Sequence, residues 1–282
     1  MMEIIEITKQ NTGFMKGFID EDMLENIGRI FYRGLAVVDE DEIRCAMIWE
    51  VLNLENSRSN ESRICFFKAR DEEAASGILD AYDMKVMAED IRVSSVVMPV
   101  ENRRAEKEIL KRAGFSVMLT ESDQIILSLS ELLELSIMKS KAIPDNILTL
   151  RDISVGQFRN GISKCLKNGK KGLCEDLSYL DISFFENDVS CCNETDGDID
   201  SFLLFHVLPS GMLSIQLMIS MNPDARNVLL GMMRQFVLNM DQEYTRDTKV
   251  LLNRHNQASL LLSEKLFPRN IGIPVYSGSR QE

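Results

Sequence analysis

The segment Asn253 to Phe267, NRHNQASLLLSEKLF, has a counterpart near the middle of the chain in Glu101 to Phe115, ENRRAEKEILKRAGF. Each follows an apolar, β-prone run, Val250 to Leu252 in one case and Val96 to Val100 in the other. Each also opens with an Asn ahead of a helical pattern. Matching Asn102 to Asn256 gives an offset of 154 residues, and matching Ile43 to Ile199, in two hairpin-like stretches, gives 156. Markers that far apart agree to within two residues only if a whole unit has been repeated, so the chain is read as an internal duplication.

The pattern inside each repeat mixes strands and helices. In the first half IIEI reads as a strand, and Phe14, Phe18, Met23, Ile27 and Ile30 recur at helical spacing across residues 14–32. GLAVV and IRCAMIWEVL flank the acidic turn Asp39 to Glu42 as an antiparallel hairpin. RICFFKA is a strand, residues 72–90 a helix, SSVVMPV a strand, residues 102–115 a helix ending at Gly114, and SVMLTES with QIILSLS two closing strands. The second half repeats the order: ILTL, a helix over 153–166, a hairpin turning at Asp196-Gly197, the strand GMLSIQLMIS, a helix over 222–241, the strand TKVLLN and a helix over 256–267. The boundaries expected from composition are 1–138 and 147–282, joined by a polar linker over 139–146 that Pro144 breaks.

Composition excludes several roles. A net charge of −12 argues against a broad phosphate-binding surface and hence against nucleic-acid binding. No secretory leader and no apolar run near 20 residues is found, so a cytoplasmic protein with no membrane partner is expected. With His206 and His255 the only histidines, a histidine-rich metal site is excluded, and no metal ligands are assigned. The six cysteines form no C-x-x-C pair and read as reduced core thiols; the alternative, Cys191-Cys192 as a redox or metal pair, conflicts with adjacent strand residues pointing to opposite faces. No G-x-S-x-G elbow marks a serine nucleophile.

The order of elements, the duplication and the two Asn-helix motifs together resemble the GNAT superfamily of N-acetyltransferases, in tandem. The resemblance implies an α/β fold of two GNAT-like acyl-CoA N-acyltransferase domains, each a mostly antiparallel twisted sheet flanked by helices. In that family a strand runs into a loop of pattern R-x-x-G-x-G/A that opens a helix, whose free N–H groups hold the pyrophosphate of acetyl-CoA; a helix start offers such donors in general. An Asn, then Ala, Tyr and a Gly-Phe ending follow in the next helix, the Tyr often acting as the acid that reprotonates the thiolate.

The second half carries this pattern better. Arg226, Asn227, Val228, Leu229, Leu230 and Gly231 align with the loop, keeping its Arg and last Gly, and Asn256 matches the family Asn. These seven residues are the cofactor-binding set that the resemblance implies for acetyl-CoA or another acyl-CoA. Leu229 replaces the first glycine, and Ser263 stands at the Tyr position with a shorter, far less acidic hydroxyl. In the first half Glu72 replaces the Arg, Ala75 the first glycine and Ile109 the Tyr, while Asn102, Ala105, Gly114 and Phe115 are kept. Arg226 and Asn256 also fit plainer roles, a solvated helix-start charge and a helix N-cap.

Glu194 beside the hairpin turn, His206 on the following strand and Ser263 are the candidate catalytic residues. His206 sits between Phe205 and Val207, so a structural histidine is the alternative to a general base. Trp49 reads as core, and the basic run Lys167 to Gly172 as a solvated loop or a contact to the coenzyme's 3'-phosphate. The acidic surface suits a cationic small-molecule amine or a Lys-bearing substrate. Two functions follow: an acyl-CoA dependent N-acyltransferase using its second half, or a catalytically silent GNAT-like pair acting as a binding or interaction module.

Overall fold

The computed structural model describes residues 2–53, 60–140, 143–167, 177, 180–253, 263–264 and 272–282. These form two compact units. Unit 1 holds residues 1–122 and 273–282; unit 2 holds 123–272.

In chain order unit 1 contains β1 (Glu3–Glu6), α1 (Thr12–Met15), α2 (Glu21–Leu24), β2 (Tyr32–Asp39), β3 (Glu42–Asn53), β4 (Asn60–Ala69), α3 (Glu72–Ala88), β5 (Ile91–Pro99), α4 (Arg104–Arg112) and β6 (Met118–Glu121). Unit 2 contains β7 (Gln124–Ser128), α5 (Leu129–Leu133), β8 (Ile147–Thr149), α6 (Val155–Lys167), β9 (Cys191–Thr195), β10 (Asp198–Val207), β11 (Leu213–Ser220), α7 (Ala225–Glu243) and β12 (Lys249–Asn253). The last strand, β13 (Pro274–Gln281), returns to unit 1.

Unit 1 is a seven-stranded sheet in the order β1-β2-β3-β4-β5-β13-β6, parallel only between β4 and β5. Its strands alternate with period two. Cys45, Met47 and Trp49 face the core that α3 covers, while Ala46 and Ile48 face a second core with Met15, Phe18 and Ile27. Unit 2 is a six-stranded sheet in the order β7-β12-β11-β10-β9-β8, parallel only between β11 and β12. Leu203 and Phe205 point to the core under α7, and Phe202 and Leu204 to the core shared with Phe158 and Ile162 of α6. Both are mixed α/β layers with each sheet face covered, as the sequence implied.

Three expectations change. The helix over 14–32 is two single turns, because Gly17 adopts φ +81 and breaks the run; Phe14 and Ile30 are left exposed. The two strands expected to close the first half part company, β6 joining sheet 1 and β7 pairing with β12 in sheet 2. The contact division consequently falls after Ser122, and not at 139–146, because β13 inserts between β5 and β6. Strand pairing between distant segments leaves no trace in local polarity, which is what marked 139–146. No helix among the described residues is long and apolar enough to cross a membrane.

Candidate functional site

Each sheet contains one bulge that splits its parallel strand pair. In unit 1, Ile48 opposes Phe66 while Trp49 opposes Ile64, so Cys65 is an extra residue in β4. In unit 2, Leu204 opposes Leu217 while Phe205 opposes Ile215, so Gln216 is an extra residue in β11. A bulge bends its own strand and raises its twist, and the parallel neighbour does not follow. Pairing of β4 with β5 ends at Ile64↔Val96, and pairing of β11 with β12 covers only Leu213↔Val250 and Ser214↔Leu251 among the described residues. Beyond each bulge a wedge opens toward the carboxyl ends of the strands, where β4 runs into α3 and β11 into α7. Backbone groups along a wedge have lost their ladder partner and require another.

In unit 1 the chain supplies that partner itself. Glu106 on α4 is 5% exposed, and its Oε1 accepts from Ala69 N at 3.4 Å and faces Arg103 Nη1 at 3.5 Å. The Arg103 guanidinium lies over the Phe66 ring, 5.3 Å from its centroid. The start of α3 is filled as well: Asp71 Oδ1 accepts from Ala74 N at 2.8 Å, and Arg44 Nε donates to Asp71 Oδ2 at 3.0 Å. The Ala74 amide first, and then Arg44, hold the Asp71 carboxyl below its usual range. Glu72, at the position of the family Arg, pairs with Arg112 of α4 at 2.9 Å. Between α3 and α4 a cavity of about 570 Å³ remains, with Ile109 in its wall. Asn102 stands two residues before α4 in the left-handed region, φ +55, and does not cap the helix; Arg103 holds the N-cap position.

Unit 2 differs at the same place. The helix α7 begins at Ala225, so Arg226 to Gly231 form its first two turns and not a loop before it. The amides of Asn227 and Val228 bond to Asp224 O at 3.1 and 3.2 Å. Arg226 and Asn227 are exposed, Val228 is buried, and Leu229 and Leu230 pack against the core under α7. Gly231 is buried, and a Cβ there would come within 2.4 Å of Ile147 Cδ1 and 3.1 Å of Pro144 Cδ. Its missing side chain therefore serves packing against the β8 edge. Asn256 and most of its helix, and residues 168–172 of the basic run, lie outside the described residues; Ser263 is described and buried, 7% exposed.

A polar network holds the approach to α7. Asp200, a second bulge residue opposite β9, accepts from Asn193 Nδ2 at 2.9 Å, Thr195 Oγ1 at 2.9 Å, Ser201 Oγ at 2.8 Å and Asn222 Nδ2 at 2.8 Å. Asn222 in turn accepts from Asp224 N at 2.9 Å through Oδ1, and its own amide donates to Ser220 Oγ at 3.2 Å. Burial alone would raise the Asp200 pKa, but these donors outweigh it and leave the group below its usual range. The network joins the hairpin to the helix start, and periodicity gave no sign of it.

The three catalytic candidates do not converge. Glu194 opposes Ile199 at the amino end of β10, whereas His206 opposes Ser214 near its carboxyl end. Seven residues of strand separate those levels, roughly 20 Å. His206 is level with the closed end of the wedge; its Nδ1 lies 2.6 Å from Phe184 O and its ring stacks on Phe184 at 3.9 Å. Cys191 and Cys192 face different cores, and burial first, with nearby carboxylates, pushes the Cys192 thiol up to about 12. Adjacent thiols so placed cannot share a metal or a disulfide.

No protein-family profile matches the chain, and no curated protein matches it. Solved structures do. One is a tandem GNAT protein from the clavulanic acid biosynthesis pathway, 8% identical, with TM-score 0.58, aligned over 100% of this chain and 98% of that one. The chain has the tandem GNAT fold. A probable N-acyltransferase from Enterococcus faecalis V583 is also similar to this chain, at 10% identity and TM-score 0.54, covering 100% of this chain and 73% of the other. So is a GCN5-related N-acetyltransferase from Kribbella flavida, at 10% and 0.50, covering 100% and 72%. At these identities the likeness concerns the fold alone.

Proposed function

We propose that this tandem GNAT chain is an acyl-CoA dependent N-acyltransferase acting on a small or lysyl amine, with the coenzyme held in unit 2. The observation that carries the reading is the bulge at Gln216 together with the parting of β11 from β12 after Ser214. Beyond that point alternate residues of β11 turn N–H and C=O groups away from β10. Such an edge suits the amide-bearing arm of coenzyme A, which adds like an extra strand. The start of α7, with Arg226 exposed on its first turn, lies where the strand ends and suits the anionic pyrophosphate.

The bound thioester supplies the acyl group, and the chain's part is positional. A β11 amide beside the bulge would donate to the carbonyl oxygen as the amine attacks, stabilising the oxyanion. His206, level with Ser214 on the neighbouring strand, is the candidate that stands near that point and suits taking the amine proton. Glu194, on β9, is level with the open end of the wedge but separated from it by β10.

A second reading, a silent pair of domains that binds a partner, is favoured by one observation. Asn227 and Val228 already spend their amides on Asp224 O. Isothermal titration with acetyl-CoA, run beside Arg226→Glu, separates the two. Micromolar binding that the variant loses at least tenfold supports the acyltransferase; no heat at millimolar coenzyme supports the silent pair.

A further inference from the structure

Unit 2 has a cavity of about 610 Å³ that neither the wedge nor the coenzyme reading uses. Its place follows from strand direction. β8 and β10 are each antiparallel to β9, so their carboxyl ends lie at one end of the sheet, and β11, antiparallel to β10, opens its wedge at the other. The cavity is built at the first end, from the residues that follow β8 and from residues 182–188. The second of these segments also supplies Phe184, whose ring and carbonyl hold His206.

The lining has two characters. Leu150, Ile153, Val155 and Phe185 give it an apolar wall. The remainder is rich in acceptors. Asn187 Oδ1 is shut off from solvent and has no hydrogen-bond partner among the described residues, a state that costs stability until a donor arrives. Asp188 is engaged by Arg151, the single cation in the wall among the described residues, and is further fixed by Asn239 Nδ2, which donates to its carbonyl at 2.9 Å. Glu186 is bonded by Tyr244, and burial followed by the Glu186 and Asp188 carboxylates pushes that phenol up to about 12. Among the described residues two carboxylates stand against one guanidinium, an excess of one negative charge. A volume of this size is in the range of small-molecule sites.

We propose that this cavity binds a primary alkylammonium whose ammonium hydrogens reach Glu186 and, once the Asn187 amide turns its unpartnered Oδ1 into the cavity, that oxygen as well, and whose apolar body lies against Leu150, Ile153 and Phe185. Naming this molecule as the acyl acceptor rests on the acyltransferase reading; the affinity for an amine does not. In that arrangement the amine and the coenzyme approach the bulge from opposite ends of the sheet, with His206 on the amine's side.

The test is calorimetric titration of the full chain, without coenzyme, using 2-phenylethylammonium and its uncharged isostere 2-phenylethanol. The expected result is saturable binding of the ammonium in the millimolar range or tighter, with the alcohol at least tenfold weaker. Glu186→Gln keeps a partner for Tyr244 but removes the charge, and is expected to weaken the ammonium at least tenfold. Val155→Trp, at a half-exposed position, is expected to block the cavity; if that variant melts early, the Glu186→Gln comparison decides alone. Equal affinity for the alcohol, no binding of the ammonium, or a wild-type affinity in Glu186→Gln overturns the proposal. Ammonium binding without any acetyl-CoA binding keeps this site and removes the acyltransferase, while coenzyme binding without ammonium binding does the reverse.

Discussion

Arg44 in unit 1 and Asp200 in unit 2 stand 156 residues apart, at the same place in two copies of one design. Each is the extra residue of a bulge in the second strand of its hairpin. Each reaches to the start of the long helix that follows the split strand, Arg44 to the capping carboxylate Asp71, and Asp200 to Asn222 two residues before Asp224. The backbone device has been kept, and the charge that does the work has been inverted. In unit 1 the inversion places an anion on the helix start and a cation behind it. In unit 2 the anion is withdrawn into the hairpin, neutral amides hold the connection, and Arg226 is left facing solvent on the first turn. One copy caps its helix with a carboxylate backed by a cation; the other has Asp224 at the N-cap position without a side-chain cap bond.

The most severe way to break the comparison is to remove β13. It pairs with β5 over Val275 to Gln281 and with β6 over Pro274 to Ser277, in the interior of sheet 1. Deleting residues 273–282 leaves two edges unpaired and Val275 missing from the core, and unit 1 is expected not to fold. Trp49, the single tryptophan, is 1% exposed in unit 1 and makes an edge contact to Tyr82 at 5.2 Å. Its emission is therefore expected to shift to the red in the truncated chain, while circular dichroism keeps a melting transition from unit 2. Unshifted emission would show that β13 is dispensable.

Next in size is Glu106→Leu. Its carboxylate plugs the unit 1 wedge, and removing it strands Arg103 and the Ala69 amide in a nearly dry place. A loss of about 2 kcal/mol is expected from breaking a charged, buried hydrogen bond, read as a lower denaturant midpoint by Trp49 fluorescence. Coenzyme affinity is expected not to change, since the proposed site lies in unit 2; a second binding site appearing in Glu106→Leu would overturn that proposal.

Asp200→Asn follows. A carboxylate that accepts four hydrogen bonds becomes an amide that must turn one N–H pair toward other donors, at a cost of about 1–2 kcal/mol at neutral pH. The sign with pH is set by its depressed folded pKa. The contribution is complete above the unfolded value near 4, and is lost as pH falls through the lower folded value. Acid unfolding of unit 2 is therefore expected to be less steep in Asp200→Asn than in the wild type below about pH 4. Arg44→Leu, which opens a half-exposed pair, is expected to cost under about 1 kcal/mol. Equal losses at the two positions would mean that the inversion has no energetic content.

The duplication, the hairpins and the helix after Asn102 were legible because each is written locally, in apolar period, a turn dipeptide or a helix start. The split strands were not, since a bulge is one extra residue in a strand whose pattern still reads as β; Cys65 and Gln216 carry no mark of it. Nor was Glu106, which looks like any solvated helix charge until Ala69 and Arg103 are brought beside it by contacts 37 and 3 residues away. The alignment of Arg226 to Gly231 with a phosphate loop falls inside residues that the periodicity already reads as helical over 222–241, and α7, which starts at Ala225, contains all six. Asp71 carries a readable sign, an Asp immediately before a helical run.

The smallest effect is the sharpest test of what separates the copies. Asp71 and Asp224 both precede their helices, but only Asp71 accepts a backbone amide of its helix; Asp224 makes no such cap and bonds the Asn227 side chain at 2.9 and 3.1 Å. Asp71→Ala is thus expected to cost about 1 kcal/mol of unit 1 stability. Asp224→Ala is expected to cost only a few tenths in unit 2, because its backbone carbonyl, which receives Asn227 and Val228, survives the change. The carboxylate at 224 does, however, compete with any anion that approaches the first turn of α7, by about 1 kcal/mol in a watery dielectric. Its removal is expected to tighten acetyl-CoA roughly fivefold by titration, whereas Asp71→Ala is expected to leave that affinity unchanged. If Asp224→Ala weakens the coenzyme, the carboxylate is holding the helix start open and not guarding it, and unit 2, like unit 1, depends on its own acid there.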